Sequence, residues 1–181
     1  MELEAFLSEQ ERLELMGKID WSTLARHDQF GGNSLSSHGG SDYRLKTNDF
    51  LSDKILERMR WAVNLFAERY GVGQLKITNY WANIFNSGGS LKRHLHAGSV
   101  LSGVIFVNVD EKSNPLVFWN PNPHNQFTNF ERQTELNFQS YHFVPQNGLM
   151  LLWPSWLEHG SGIYDNGSDN RVSISFNTEG L

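Results

Sequence analysis

The sequence predicts a mainly β fold, a double-sheet jelly roll with helices packed on one side, and three observations predict it. Apolar residues recur every three to four positions through residues 51–70, then alternate with a period of two after Gly73. From there to the end, turn signals separate short apolar runs. One helical face followed by about eight short strands is buried most simply by layering. With 181 residues the chain can build one sizeable core. It is expected to be a single domain over 1–181, with 1–72 as helical support and loop and 73–181 as the β core.

Taken in order, Ser8 and Glu11 have capping-box spacing ahead of Leu13, Leu15 and Met16, which predicts a short first helix. Trp21 to Thr47 is polar, rich in Gly and Ser and without a period, as expected of a long surface loop that could serve as a lid. Asn48 or Asp49 can cap a second helix, in which Leu51, Ile55, Met59, Ala62, Phe66 and Tyr70 share a face and Gly71 provides the stop. Leu75, Ile77, Asn79, Trp81, Asn83 and Phe85 then alternate with their neighbours as in a half-buried strand. Turns at 87–89, 114–115, 120–123, 145–148 and 165–167 punctuate further strands such as 104–109, 149–153 and 172–176. No internal repeat, low-complexity tract or linker interrupts the chain.

Composition narrows the function. Fifteen basic residues face twenty acidic ones, for a net charge of −5, and no basic cluster stands out, which argues against nucleic acid as the primary partner. There is no cysteine, so disulfides, thiolate metal sites and a Cys nucleophile are excluded and any metal must be held by nitrogen and oxygen. The N-terminus has neither a basic n-region nor an apolar stretch, and no run of about 18 apolar residues occurs, so a cytoplasmic, membrane-free protein is expected.

Of the seven histidines, His94 and His96 are the pair spaced to share a strand face, with Cα atoms about 6.5–7 Å apart in an extended chain. Two imidazoles so placed can converge on one ion, and without thiolates Fe(II) is a natural candidate. A bare H-x-H pair is more often two core or surface histidines than a metal site. The C-terminal segment adds to it: an apolar strand and a Pro-Ser-Trp break precede His159, and Arg171 and Ser173 follow it. A third imidazole and an arginine on the next strand would suit a small dicarboxylate that chelates the metal at one end and pairs with the cation at the other. Taken singly, Arg171 reads more readily as a surface ion-pair residue and Ser173 as an ordinary strand serine. His27, His38, His124 and His142 carry structural or exposed readings. Glu158 should point away from His159, and Trp81, Trp153 and Trp156 should fill the core.

The elements W-A-N (81–83), H-L-H (94–96), L-S-G-V-I-F-V (101–107), P-x-x-G (145–148), W-P-S-W-L-x-H (153–159) and R-V-S-I-S-F-N (171–177), with Gly88 or Gly89 before the H-L-H, resemble a group of 2-oxoglutarate/Fe(II) oxygenases. That group occurs in bacteria and their viruses and is related to the prolyl-hydroxylase branch. The resemblance runs from about residue 75 to the end. It implies a double-stranded β-helix, the cupin-like form of the jelly roll, with Fe(II) as metal and 2-oxoglutarate as cosubstrate. Carried over by position, it implies His94, His96 and His159 as metal ligands, Arg171 and Ser173 on the distal carboxylate of 2-oxoglutarate, and Asn83 as a further polar contact to it. The activity implied is hydroxylation, with dioxygen and a small-molecule or peptidyl substrate.

His96 departs from the pattern, since the wider superfamily has Asp or Glu there. A three-histidine set would leave Fe(II) plus dianionic 2-oxoglutarate neutral, which alters metal affinity and redox tuning. In an alternative register His96 is the first ligand and Gly98 stands where the carboxylate would be, as in related halogenases, leaving His94 without a role. A cupin dioxygenase or isomerase is the enzymatic alternative, but the glutamate its motif wants after the second histidine is absent, and ten residues separate Gly148 from His159. A non-catalytic jelly-roll binding module, presenting Trp119, His124, Phe127 and Phe130, is the third reading. The loops 21–47 and 119–135 are the expected substrate-facing elements.

Overall fold

The computed structural model describes residues 1–38, 50–122, 129–132, 134 and 137–181. Helix α1 (Glu9–Lys18) starts on the predicted capping box. The Ser8 hydroxyl accepts from the Glu11 amide, and the Glu11 carboxylate accepts from the Ser8 amide. Helix α2 (Asp53–Tyr70) begins later than expected: Ser52 caps it through the Ile55 amide, while Asn48 and Asp49 lie outside the described residues. Gly71 closes it at φ +81°, the left-handed backbone that glycine adopts without a Cβ penalty. Among the described residues, no helix is long and apolar enough to cross a membrane.

The strands are β1 (Glu2–Leu3), β2 (Phe30–Gly31), β3 (Ser34–Ser36), β4 (Leu75–Phe85), β5 (Ser90–Leu91), β6 (Leu101–Asn108), β7 (Leu116–Trp119), β8 (Ser140–Phe143), β9 (Met150–Pro154), β10 (His159–Gly160) and β11 (Arg171–Gly180). They form an antiparallel major sheet in the order β1-β9-β6-β11-β4-β3, a minor sheet β10-β7-β8 and a β2-β5 pair. The molecule is thus mainly β with flanking helices, the double-stranded β-helix arrangement expected.

Both faces of the major sheet are covered, and side-chain alternation decides what each face does. Tyr80, Ala82, Ile105, Val107, Met150, Leu152, Val172, Ile174 and Phe176 pack outward with the helical residues Leu15, Ile55, Met59 and Val63. Gly103, opposite Phe176 in register, must lack a side chain, because a Cβ there would lie 2.2 Å from the Phe176 ring. Val104, Phe106, Leu151 and Trp153 face the other way and join Leu116 and Phe143 of the minor sheet. The polar remainder of that inner face carries the site.

Two expectations are corrected. Residues 21–47 are not simply a surface loop: β3 adds to the edge of the major sheet, with Ser36 opposite Asn83 and both Ser34 and Ser36 buried. Serines satisfied by hydrogen bonds rather than apolar contacts leave no hydrophobic alternation to read; residues 39–47 lie outside the described part. Trp156 does not fill the core. It is 51% exposed, with its indole N–H donating to the Tyr70 hydroxyl at 2.8 Å.

Candidate active site

His94 and His96 sit just past β5 rather than on a strand of a sheet, yet their rings converge. His94 exchanges two backbone hydrogen bonds with His159, at 3.0 and 2.9 Å, and the His96 amide donates to Ser155 at 3.0 Å. This stitching brings the three imidazoles together, with one nitrogen of each within 4.8 Å of the others. The Nε2 atoms of His96 and His159 are 3.2 Å apart.

The donor set fits a divalent cation. With metal–nitrogen bonds of about 2.1 Å, neighbouring ligands of one ion lie about 3 Å apart. The Nδ1 atoms of His94 and His159 lie 2.8 and 3.0 Å from the carbonyls of Lys92 and Leu157. Those carbonyls hold the proton on Nδ1 and leave the Nε2 lone pair for a metal. Burial pushes all three imidazoles below their ordinary titration range, His96 to about 3, so they are neutral and ready to ligate at physiological pH. Trp153 and Phe118 pack on the His159 ring and keep water from that side. Glu158, as expected, turns away and pairs with Arg93. Gly98, the carboxylate position of the alternative register, has no side chain to offer and adopts φ +84°.

A narrow cavity runs inward from the imidazoles between the sheets. Arg171, Ser173 and Ser175 line it from alternate positions of β11, and Asn83 and Phe85 from β4. Arg171 is only 6% exposed, its Nε has no hydrogen-bond partner, and no carboxylate among the described residues pairs with it. The guanidinium is flanked by the rings of Phe85 and Phe106, 5.1 and 5.5 Å from its carbon. Burial lowers its pKa to about 10, so it remains charged at neutral pH. A buried cation without a counter-charge is costly, and an anionic ligand entering the cavity would relieve that cost. Asn83 lies opposite Ser173, but its Oδ1 accepts from Ser36 at 2.8 Å and its Nδ2 donates to Ser175 at 3.0 Å.

Outward from His94 and His96 lies a wide basin of about 830 Å3. His27 and His38, left with structural readings from sequence, line its wall: their rings are 5.1 Å apart, and His38 meets Trp81 at 4.7 Å. No spacing rule links residues 27, 38 and 81; only the fold does. His142 instead lies on the exposed surface beside Tyr164. His124 and Phe127 of the alternative recognition surface lie outside the described residues, as do 123–128, 133 and 135–136 of the second long loop.

The model of one family, described as "Putative 2OG-Fe(II) oxygenase", matches residues 79–177. No curated protein matches the chain. Among solved structures, a Pseudomonas putida prolyl-4-hydroxylase superposes with a TM-score of 0.64 at 12% identity, covering 100% of this chain and 92% of the other. A viral collagen prolyl hydroxylase from Paramecium bursaria Chlorella virus-1, solved with 2-oxoglutarate, gives 0.63 at 9%, covering 100% and 96%. HygX from Streptomyces hygroscopicus, solved with nickel and 2-oxoglutarate, gives 0.62 at 9%, covering 98% and 81%. At these identities the likeness is one of fold.

Proposed function

The chain belongs to the Putative 2OG-Fe(II) oxygenase family, and from that premise we propose that it is a hydroxylase in which His94, His96 and His159 hold Fe(II) and Arg171 anchors 2-oxoglutarate. The observation that carries the reading is the buried guanidinium of Arg171, paired with no carboxylate among the described residues, in the same cavity as the three imidazoles. When bound, the metal and cosubstrate supply oxidative decarboxylation of the keto acid to succinate and CO2, and with dioxygen the oxidising power that converts a substrate C–H to C–OH.

The chain's own residues hold, orient and exclude water. The three neutral imidazoles contribute lone pairs and no charge. Arg171 offers its N–H donors to the distal carboxylate, and Ser173, two residues on and on the same face of β11, adds a hydroxyl. Asn83 keeps one amide hydrogen beyond those engaged with its serine neighbours, and its role is to lock that wall in place while offering this hydrogen to the cosubstrate. The rings of Phe85, Phe106 and Trp153 keep the cavity dry, which strengthens each of these polar contacts. The prime substrate, a small molecule or a peptidyl side chain, enters from the basin, and the acidic, cysteine-free chain suits a cytoplasmic setting.

The test is an anaerobic titration of the protein with Fe(II) and 2-oxoglutarate, followed by oxygen and measurement of succinate, with Arg171→Ala and His96→Ala in parallel. Succinate formation that is lost in both variants supports the full assignment. Loss in Arg171→Ala alone would retain the cosubstrate site and remove His96 from the ligand set; wild-type turnover in Arg171→Ala would overturn the reading.

A further inference from the structure

The outer basin has a chemical character of its own. Among the described residues, those that line it with charge are Lys76 and Glu179, which pair with each other at 3.0 Å and offset one another. Histidine and tryptophan rings form one wall. Beside them Asn79 and Asn177, both buried, lie directly opposite one another on β4 and β11. They continue the inner-face ladder that begins at Arg171, roughly 20 Å further along the strand.

The hydrogen bonds orient these two carboxamides. Ser155 and Ser102 hydroxyls are 2.7 Å apart, and Ser102 donates onward to Asn177 Oδ1 at 2.9 Å. The Thr78 hydroxyl lies 3.2 Å from Asn79 Oδ1. With both oxygens engaged, the two Nδ2 amino groups remain, without a hydrogen-bond partner among the described residues and at the edge of the basin. Neither amino group is cut off from solvent, so each is a donor that an acceptor in the basin can take without displacing a protein partner.

We propose that Asn79 and Asn177 form a donor pair that reads an amide carbonyl of a peptide substrate, on the opposite side of the histidine cluster from Arg171. The proposal rests on reading the basin as the substrate side of the iron. Among the described lining residues a carboxylate would find no free cation, whereas an amide carbonyl is neutral and has two lone pairs for two donors. A sugar hydroxyl both gives and takes a hydrogen bond, and this pair offers only donors. The amide recognised belongs to the substrate backbone, so the two residues set which substrates bind without touching the C–H that reacts.

The test uses the full chain, 15N-labelled, titrated with N-acetylglycine N-methylamide as the smallest peptide unit, and follows the side-chain NH2 resonances of Asn79 and Asn177. Saturable shifts of both are expected. Asn177→Asp, whose carboxylate can still accept from Ser102, should weaken binding roughly tenfold, with Asn79→Asp as the independent second variant. No saturable shift, or equal affinity in both variants, overturns the proposal; so does a preference for maltose or acetate at the same resonances. Arg171→Met should leave the amide shifts intact, so failure of the cosubstrate reading and failure of this one give different results.

Discussion

Arg171 sits between two phenyl rings in a narrow slot where no carboxylate among the described residues pairs with it, while some 20 Å along the same strand Asn177 faces a wide basin whose charged lining, among the described residues, is the Lys76–Glu179 pair. The inner end is suited to one small anion of fixed length: a single cation in a dry place supplies both affinity and register. The outer end offers rings and carboxamides, which bind through shape and hydrogen bonds rather than through charge. On the two proposals, one strand would carry two recognition chemistries, separated by the imidazole cluster. The two ends should respond independently to substitution, except where a change strikes the cluster itself.

The largest effect is expected at that junction. His159→Ala removes the most buried of the three imidazoles and should abolish metal binding together with succinate formation, a loss of at least about a thousandfold in turnover, measured under the conditions of the Fe(II) titration. Residual turnover near the wild-type rate would mean that His159 is a packing residue. Next comes Arg171→Met, which keeps the slot filled but removes the cation. Cosubstrate affinity should fall roughly 100- to 1000-fold, as for deleting one partner of a buried charge pair, measured by 2-oxoglutarate titration with zinc in place of iron. Because this variant also ends the desolvation of an unpaired charge, the cosubstrate-free protein should melt at the wild-type temperature or above it.

Metal removal separates the cluster from both ends in another way. Burial holds the three imidazoles neutral in the folded protein, with His96 lowered to about 3, whereas in the unfolded chain they titrate near 6.5. As pH falls below about 6.5, the unfolded chain takes up protons that the folded one refuses, so stability falls with pH. In chelator, the melting temperature should be highest above pH 7 and decline steadily towards pH 4. His159→Gln should flatten that decline, and an unchanged slope in this variant would contradict the burial argument.

How much of this was visible in the sequence follows from where each signal resides. The period of α2 and the alternation of β4 are local, so both elements were readable, as was the Ser8–Glu11 cap. The imidazole cluster and Arg171 were reachable because their types are chemically rare in a cysteine-free chain and the motifs around them resemble a family. β3 was not readable, since buried serines satisfied by Asn83 and by backbone leave no apolar pattern. The Asn79–Asn177 pair exists only once β4 and β11 are in register, and His27 joins Trp81 only through His38. Trp156 was misassigned because a large aromatic residue next to a site motif reads as core, whereas here its N–H is satisfied by Tyr70 at the surface.

The smallest expected effect tests how finely the inner end is tuned. Ser173 shares the cavity face with Arg171, is buried, and lies between Asn83 on one side and Phe106 on the other. If its hydroxyl donates to the distal carboxylate beside the guanidinium, Ser173→Ala removes one hydrogen bond to a charged group, worth about 1.5–3 kcal/mol, and should weaken 2-oxoglutarate binding roughly 10- to 100-fold. The fold should tolerate the change, since alanine leaves no unsatisfied partner behind. Ser175→Ala provides the contrast: its hydroxyl accepts from Asn83, so its loss frees a donor of the cavity wall and should alter cosubstrate affinity less than Ser173→Ala does. Reversal of that order, read from parallel 2-oxoglutarate titrations, would move the carboxylate contact one step along β11, toward the histidines and away from Arg171.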